Sequence, residues 1–402
     1  MDNWTLVINV GSTSVKTALF TGNLELKAAL NASQNSTEWA IDGQGLDGCT
    51  VSASQPLSSP VATMVEGLLH NWRCLLDSAE ITLTAIGHRV VHGGSDFQAL
   101  TLITPSFLEC LRKLDAYAPL HNPANRLGIS LAGEIFPATT QFAVFDTAFH
   151  RTIPELASRY AIPPQLCATV DFHRFGFHGI SCQHSLTRAA SLLDCAEQAL
   201  NLIILHWGGG ASITALSAGK SIDTSMGFSP LEGLIMASRS GDLDSAIVLT
   251  LMQQGWSAKQ LDDLLNHQSG LLGLCGETDM RTIISQANAG DGSAKLAIDM
   301  FCYRIKKYIG AYYAVLGKPH ALIFTGGIGE HAPLIRANII DGLEPLGFCL
   351  DAHANQTCQN NNDISQPTGD IRILVIHAEE EREIARQINN FQAATLTKQA
   401  RG

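Results

Sequence analysis

Several features that would place a protein in a common class are missing from this sequence. It has no C-x-x-C pair and no His and Cys cluster at zinc-ligand spacing, so its ten cysteines indicate reduced thiols rather than a disulfide framework or a zinc site. No run reaches eighteen uninterrupted apolar residues, and Met1 to Thr5 lack the basic start of a signal peptide. We therefore expect a cytoplasmic protein that does not bind membranes.

Basic residues are scarce as well. The 402 residues include 26 Lys and Arg against 37 Asp and Glu, which gives a formal net charge of −11. This balance argues against the basic footprint with which proteins bind nucleic acid or anionic membranes. Any anionic ligand must therefore be held by a few individually placed cations.

Three common motifs of nucleotide-binding and nucleophilic enzymes are absent. The sequence has no P-loop G-x-x-x-x-G-K-[ST], no G-x-G-x-x-G between a strand and a helix, and no nucleophile elbow G-x-S-x-G. P-loop kinases and dinucleotide-dependent dehydrogenases are therefore disfavoured.

What is present is ample apolar material, 46% of residues, in a pattern typical of an α/β fold of two or three domains. Strand-like runs alternate with amphipathic helical stretches. The predicted strands are Leu6–Asn9, Phe142–Phe145, Leu202–Leu205, Leu322–Thr325 and Ile371–Ile376. The predicted helices are Val61–Ser78, Thr104–Asp115, Ser245–Gln254, Ala294–Leu316 and Glu380–Ala394. Between Asn31 and Pro60 the polar composition predicts a surface excursion with short strands.

Two segments are similar to each other: LVINVGSTSVKTALF at Leu6–Phe20 and IILHWGGGASITALS at Ile203–Ser217. In each, an apolar run meets a Gly and Ser turn and then a second β-prone run, as in a hairpin. Backbone N–H groups in such a turn can hold phosphate oxygens, although one copy alone favours an ordinary tight hairpin. Two copies predict duplicated half-domains that face each other across a cleft.

Polar residues in apolar settings are the candidates for chemistry. Arg89 follows a strand-like run, and Arg239 is the single cation in a Gly and Ser rich segment. Two guanidiniums could hold a carboxylate and a transferring phosphoryl group, while a structural ion pair is the alternative for each. Asp146 ends a strand, where magnesium ligands and catalytic acids occur, but an N-capping role is equally plausible.

Other candidates also have a structural alternative. His178 lies in the Gly-punctuated FGFHG, and His121 lies in APLHNPAN. Either could instead be a core histidine. Ile323–Ala332 predicts a third strand with a Gly-rich turn suited to a nucleotide, and the acids at Glu379–Glu381 could simply complement a helix dipole.

Taken together, these motifs resemble the acetate and propionate kinase family of the actin, sugar kinase and Hsp70 superfamily. VINVGSTSVK, GHRVVHGG, APLHNPAN, AVFDTAFH, FGFHG, DTSMGFSPLEGL with SRSGD, SGLLG and IFTGGIGE follow the family's order through nearly the whole chain. The resemblance implies duplicated actin-like (ribonuclease H-like) ββαβαβα domains with a cleft. It places the first domain at 1–147, completed by a helix at about 382–402, and the second, with the nucleotide segments, at 148–381.

The implied activity is that of an acetate kinase, the reversible, direct in-line transfer of the ATP γ-phosphoryl to acetate, giving acetyl phosphate and ADP. The resemblance also implies Mg²⁺, for which Mn²⁺ can substitute, and a homodimer. Phosphoryl transfer asks mainly for positioning and charge neutralisation. A carboxylate is already a competent nucleophile, so we expect Asp146 to orient magnesium or substrate rather than to act as a base.

The resemblance also assigns site residues. The catalytic positions are Asp146, Arg239, His178 and Arg89. The substrate positions are Arg89, Val91, Leu120, His121, Phe177 and Pro230. The metal positions are Asn9 and Glu380. The nucleotide positions are Ser12, Ser14, Lys16, His206, Trp207, Gly208, Gly209, Gly210, Asp279, Met280, Arg281, Gly327, Ile328, Gly329, Glu330 and His331. Propionate-preferring relatives tend to have a smaller residue at Val91, so valine favours acetate.

Departures from the family pattern lie mostly in the nucleotide segments. The family usually has Leu and Asn where this chain has Trp207 and Gly209, Asn at His331, and one more residue before Asp279. Pyrophosphate as donor and propionate as acceptor therefore stay open as alternatives. A non-catalytic sensor is disfavoured because the phosphoryl-transfer residues are retained. A sugar or glycerol kinase is disfavoured by GHRVVHGG and DTSMGFSPLEGL.

Overall fold

The computed structural model describes residues 3–11, 14–34, 38–56, 58–119, 121–168, 170–359 and 361–399. The chain forms two compact units. Unit 1 comprises Met1–Ala148 and Glu379–Gly402, and unit 2 comprises Phe149–Ala378. Among the described residues, no helix combines the length and the hydropathy needed to span a membrane.

Unit 1 is built on a mixed sheet with the strand order β5-β4-β3-β2-β1-β6-β8-β7. Its strands are β1 Trp4–Val10, β2 Ser14–Thr21, β3 Leu26–Gln34, β4 Glu38–Gln44, β5 Thr50–Pro56, β6 Ala85–Val90, β7 Thr101–Leu102 and β8 Gln141–Phe145. The five strands β1 to β5 pair antiparallel in succession, whereas β1, β6 and β8 run parallel. The strands expected between Asn31 and Pro60 are present as the end of β3, as β4 and as the largely exposed β5, and they extend the main sheet.

The helices of unit 1 are α1 Val61–Ser78, α2 Pro105–Lys113, α3 Asn122–Ile135 and α14 Glu380–Gln399. Helix α1 has the predicted bounds, and its buried residues recur at the three- and four-residue spacing of an amphipathic helix. One of them, Trp72, donates a hydrogen bond to the buried Thr17 Oγ1 at 2.7 Å. Helix α2 starts as expected, with the Thr104 side chain accepting from Phe107 N and Pro105 at the first helical position.

Unit 2 has a sheet with the order β11-β10-β9-β12-β14-β13. Its strands are β9 Leu202–Trp207, β10 Ala211–Ser217, β11 Lys220–Thr224, β12 Ala321–Thr325, β13 Asn362–Asp363 and β14 Arg372–Val375. Its helices are α4 Glu155–Ser158, α5 Gly179–Leu192, α6 Ser245–Gln253, α7 Ala258–His267, α8 Gly270–Cys275, α9 Met280–Asn288, α10 Gly292–Leu316, α11 Gly326–His331, α12 Pro333–Ile340 and α13 Ala352–Thr357.

The two sheets repeat one arrangement. In each, three consecutive strands pair antiparallel, and the first of them pairs parallel with a later strand that pairs parallel with another. The order β3-β2-β1-β6-β8 in unit 1 thus corresponds to β11-β10-β9-β12-β14 in unit 2. The two similar segments of the sequence are the hairpins β1–β2 and β9–β10, in equivalent positions. The predicted α/β fold with two actin-like sheets is therefore confirmed.

Candidate active site

In unit 1, four predicted residues converge where parallel strands end. Asn9 lies in β1, Arg89 lies in β6, and Asp146 follows β8 directly. Since these strands are parallel neighbours, their carboxyl ends meet at one edge of the sheet, where ligands of α/β proteins bind. Glu380 is the first residue of α14 and reaches the same place.

Arg89 is the centre of this cluster. Its Nη2 and Nε donate to the two carboxylate oxygens of Asp146 at 2.5 and 3.2 Å, and its Nη1 donates to Asn9 Oδ1 at 3.3 Å. Glu380 Oε2 lies 3.8 Å from Arg89 Nε. Burial opposes the charge of Arg89, but attraction to Asp146 and Glu380 outweighs it and raises the pKa above its usual value. The guanidinium is therefore charged and held in one orientation.

The cluster offers the oxygen donors that a hard divalent cation prefers. Three carboxylates, those of Asp146, Glu380 and Glu381, act on the single guanidinium, and Asn9 Nδ2 donates to Glu381 Oε1 at 3.3 Å. Magnesium prefers oxygen ligands and is commonly held by one or two carboxylates with water and substrate phosphates. In the described part of the chain, no group of three or more His, Cys, Asp or Glu side chains is arranged to hold a metal ion. The oxygen donors of Asn9 and Glu380 fit a cation that is shared with substrate.

The hairpin β1–β2 brings Lys16 to this group. Lys16 pairs directly with Asn9 in the antiparallel register, so the two side chains emerge on the same face of the sheet. Lys16 is exposed, and Gly11 N donates to Ser14 O at 2.7 Å at the turn. Ser12 lies outside the described residues.

Two buried asparagines of α3 hold the strand ends, and the sequence reasoning missed them. Asn125 donates to Val10 O at 2.6 Å and accepts from Val91 N at 3.0 Å. Asn122 donates to His92 O and accepts from His92 N, at 3.1 and 3.2 Å. The signal was present in HNPAN, where two Asn three residues apart share a helix face. The predicted His121 is the N-cap residue of α3, and Leu120 lies outside the described residues.

In unit 2, the FGFHG segment adopts an unusual backbone. Gly176 has φ +72°, and a Cβ there would lie 2.6 Å from Thr224 Cγ2 and 2.7 Å from the His150 ring. His178, just before α5, is left-handed at φ 58°. This conformation costs a non-glycine residue roughly 1–2 kcal/mol, and such strain is common at functional sites. His150 Nε2 lies 2.9 Å from the carbonyl oxygen of Phe177 and holds the segment.

His178 is paired with His206. Their rings stack with centroids 4.3 Å apart at 30°. The Nδ1 of His178 lies 2.9 Å from Ser212 Oγ, and the Nδ1 of His206 lies 2.8 Å from Ser181 Oγ. Gly210, in the β9–β10 turn, borders the opposite edge of the His178 ring, since a Cβ there would lie 3.3 Å from Nε2. The second hairpin therefore contacts both edges of the His178 ring, through Ser212 and through Gly210.

The other turn residues of this hairpin differ in accessibility. Gly208 N donates to Gly210 O at 2.8 Å, and Gly209 is exposed, with no atom within 4 Å of a Cβ built there. The Trp207 side chain is fully buried and packs edge-on against Phe301 and Phe324. The side chain of Trp207, one of the predicted nucleotide positions, is therefore part of the core of unit 2.

Arg239 lies in the loop after β11. Its Nη1 donates to the carbonyl oxygen of Pro230, a predicted substrate residue, at 3.4 Å. Burial lowers the pKa of Arg239, because it removes water from the charged guanidinium. Arg174, a residue that the sequence reasoning missed, donates to Thr224 O at 2.9 Å and to Glu232 at 2.8 Å, and so fixes the loop. The predicted Phe177 is buried in unit 2, whereas Val91 is buried in unit 1.

The predicted nucleotide segment Gly327–His331 is helical rather than a turn, because it lies within α11. The buried guanidinium of Arg336 donates to the carbonyl oxygens of Gly329 and Glu330 at 2.7 and 2.8 Å, which satisfies the helix end. Glu330 also bonds to His377 Nδ1 and accepts from Ala378 N at 3.0 Å. Ile328, another predicted nucleotide residue, also lies within α11.

The segment Asp279–Arg281, with Met280 buried between them, starts α9. Asp279 accepts from Arg281 N at 2.9 Å and pairs with its guanidinium at 2.6 Å, which lowers the pKa of Asp279. The Arg281 side chain is 90% exposed. This pair therefore lies at the surface of unit 2.

Three features define a phosphotransferase of the actin-like ATPase fold. They are the two actin-like sheets, the hairpins of the kind predicted to hold phosphate, and the cluster of carboxylates around one arginine. The model of the acetokinase family matches residues 4–386. The chain belongs to this family, as the motifs predicted.

Individual relatives agree with this assignment. An acetate kinase from Pseudarthrobacter chlorophenolicus is 42% identical over 381 residues, covering 94% of this chain and 96% of that protein. The solved structure of a propionate kinase from Francisella tularensis has a TM-score of 0.88 at 39% identity. That of Porphyromonas gingivalis acetate kinase has a TM-score of 0.86 at 34% identity. Both comparisons cover 96% of this chain and 98% of the other.

Proposed function

We propose that the chain reversibly transfers the γ-phosphoryl group of ATP to acetate, forming acetyl phosphate and ADP by direct in-line attack. The observation that carries the proposal is the charged Arg89, fixed by Asp146 and Asn9 at the ends of parallel strands. A planar guanidinium suits a carboxylate substrate. Because acetate is ionised at neutral pH, its oxygen attacks without a general base.

Each residue then has a defined task. Arg89 binds the acetate carboxylate, and Asp146 keeps the guanidinium oriented. Asn9 and Glu380 would hold Mg²⁺, or Mn²⁺ in its place, and the cation would supply charge neutralisation for the phosphates. Arg239 and His178 donate hydrogen bonds to oxygens of the transferring phosphoryl group, where charge is stabilised during transfer. Nucleotide phosphates and base are assigned to Ser12, Ser14, Lys16, His206–Gly210, Asp279–Arg281 and Gly327–His331.

The proposed acceptor is acetate rather than propionate, and the feature that supports this choice is Val91. It is 7% exposed, and its backbone is fixed by Asn125. One methylene in such a pocket is worth about 1–3 kcal/mol, so propionate should be the poorer substrate. Val91→Ala should raise the propionate-to-acetate ratio of kcat/KM by roughly 10-fold. A wild-type ratio above one would overturn the acetate preference.

The activity is tested by trapping acyl phosphate as its hydroxamate, with acetate, propionate or butyrate crossed with ATP, GTP or pyrophosphate. We expect the highest rate with acetate and ATP. Product with pyrophosphate alone would show another donor, and no product from any pair would favour a sensor. Arg239→Ala should lower kcat by roughly 10²- to 10³-fold with an unchanged circular dichroism spectrum. Near-normal turnover would contradict its role.

We also propose that the protein is a homodimer through unit 2. Helix α6 is mostly apolar, yet none of its residues is buried, and Leu249 and Met252 are 59% and 52% exposed. On α10, Met300 and Tyr303 are also exposed, and Arg304 beside them donates to Asp242 O at 3.3 Å, just before α6. Exposed apolar side chains on two helices that are linked in this way are typical of an interface.

Light scattering on the wild type should give twice the mass of the chain. Leu249→Asp should shift the protein to monomer. The control is Leu102→Asp, a similarly exposed leucine in unit 1, which should remain dimeric. A monomeric wild type would contradict the proposal.

A further inference from the structure

The hydroxyl of Ser212 contacts the ring of His178, one of the residues proposed to act on the phosphoryl group. Ser212 lies on β10, is 1% exposed, and has its Oγ 2.9 Å from His178 Nδ1. We propose that Ser212 is a positioning residue that keeps the proton of His178 on Nε2 and aims that N–H at the phosphoryl group. The inference rests on the proposed function, in which His178 donates to this group.

A second pair in unit 2 shows how a serine sets a histidine tautomer. His150 is buried between Ser221 Oγ, 2.9 Å from Nδ1, and Phe177 O, 2.9 Å from Nε2. A carbonyl oxygen only accepts, so Nε2 carries a proton. Burial lowers the pKa of His150 to about 4, so the ring is neutral at neutral pH and Nδ1 must accept from the serine hydroxyl.

Ser212 makes the same contact to Nδ1 of His178. A hydroxyl that donates to Nδ1 leaves the proton of a neutral imidazole on Nε2. That edge borders Gly210, which has no side chain to cover it; a Cβ would come within 3.3 Å of Nε2. The ring is therefore held at its Nδ1 edge, and the proposed Nε2–H donor lies at the opposite edge.

Stacking fixes the remaining freedom of the ring. His206 lies 4.3 Å from His178, centroid to centroid, and its own Nδ1 is held by Ser181 Oγ at 2.8 Å. The two hydrogen bonds link the same two parts of unit 2. His178, just before α5, bonds to Ser212 of β10, and His206 of β9 bonds to Ser181 of α5. Rotation of His178 about its side-chain bonds would break both the stacking and the bond to Ser212. Positioning of this kind matters because a catalytic donor must point at the site where charge develops.

The test uses the full chain with Ser212→Ala, which removes the hydroxyl and little volume. We expect kcat to fall by about 10- to 100-fold, as for other residues that orient a functional histidine. The KM values for acetate and ATP should change by less than about 3-fold, because His178 acts on the transferring group. Ser212→Thr should restore most of kcat, since it returns the hydroxyl.

A matched control separates positioning from stability. Thr214 lies two residues along β10, on the same face, is fully buried, and has Oγ1 2.8 Å from Thr224 Oγ1. Thr214→Val removes this hydroxyl and should lower Tm as much as Ser212→Ala does, with kcat nearly unchanged. If Ser212→Ala lowers kcat no more than Thr214→Val, the proposal is wrong.

A spectroscopic readout keeps the proposal independent of activity. In protein labelled with ¹⁵N-histidine, the His178 signals, assigned by their loss in His178→Gln, should show the Nε2–H tautomer. Ser212→Ala should shift them toward a tautomer mixture. A wild-type Nδ1–H tautomer would overturn the proposal even in an active enzyme. Inactivity of the wild type with every substrate pair would instead refute the proposed function.

Discussion

Arg89 and Asp146 form a bidentate ion pair in which the Asp146 side chain is only 1% exposed and the Arg89 side chain 19% exposed. The pair joins the ends of β6 and β8 and leaves Arg89 Nη1 directed at Asn9. A charge this well oriented before substrate arrives reduces the cost of ordering on binding. The same pair makes the fold depend on a residue of the proposed site.

Asp146→Asn should therefore affect both stability and activity. Removing one partner of a buried ion pair leaves the other charge uncompensated, which costs roughly 3–5 kcal/mol, less any compensation from Glu380. Urea denaturation should show this loss, and kcat/KM for acetate should fall with it. The control is Asp115→Asn, whose ion pair with Arg126 is partly exposed and should contribute less than about 1 kcal/mol. Equal stability losses in the two variants would contradict the prediction.

Gly210→Ala should slow turnover without unfolding the protein. The added Cβ would lie 3.3 Å from His178 Nε2 and so crowd the proposed donor. We expect kcat to fall while Tm stays within a few degrees of wild type. Gly67→Ala is the control, since Gly67 is in the exposed interior of α1 with nothing near its Cβ. It should gain about 0.5–1 kcal/mol and keep full activity. An unchanged kcat in Gly210→Ala would argue against Nε2 as the donor.

Asn125→Ala should be among the more destabilising single changes in unit 1. It removes the partners of the Val10 carbonyl and the Val91 N–H, and each buried unpaired group costs about 1–3 kcal/mol. Because Val91 moves with this change, the KM for acetate should rise as well. The comparison for stability is Asn266→Ala, whose side chain donates to Asp262 within α7 near the surface. Denaturation that is no different between the two would show that β1 and β6 do not depend on Asn125.

Two buried histidines should make the protein less stable at acid pH. Burial lowers the pKa values of His88 and His150 from 6.5 to about 4, so both rings are neutral in the folded protein. The unfolded chain takes up these protons below pH 6.5, so their contribution is present above pH 6.5 and is lost as the pH falls toward 4. The loss is roughly 3 kcal/mol for each histidine.

The measurement is the free energy of unfolding in urea at several values between pH 7 and pH 4. His88→Gln should reduce the change of the unfolding free energy with pH in this range. The variant also lowers stability at pH 7, because it disturbs the hydrogen bond to Gln141. A slope that is the same in wild type and variant would mean that His88 is not buried as a neutral ring.

Local signals in the sequence predicted many elements correctly. The bounds of α1 and the cap of α2 followed from apolar spacing and from Thr104 and Pro105, which act within one helical turn. Both hairpins followed from Gly and Ser turns between apolar runs. The length of β4 and β5 was missed because these strands, at and next to the sheet edge, are too polar to show the apolar run that identifies a buried strand. The helix α11 was missed because its Gly-rich sequence is typical of a turn, and because the side chain that holds its end, Arg336, comes from the next helix.

In the candidate site, the same division applies. The meeting of Asn9, Arg89 and Asp146 was predictable because parallel strands bring their carboxyl ends to one edge. The roles of Asn125 and Ser212 were not, because each acts on a residue from another part of the chain.

By itself, the sequence determined the α/β class, the duplicated hairpins, the family and the residue types available for phosphoryl transfer, because these follow from periodicity and short motifs. Only the tertiary structure decided that Asp146 holds Arg89, that Trp207 is core, and that Ser212 holds His178. The physical reason is range. Helix and turn preferences act over a few residues, whereas the orientation of a charge or an imidazole depends on hydrogen bonds that exist only after distant segments have packed.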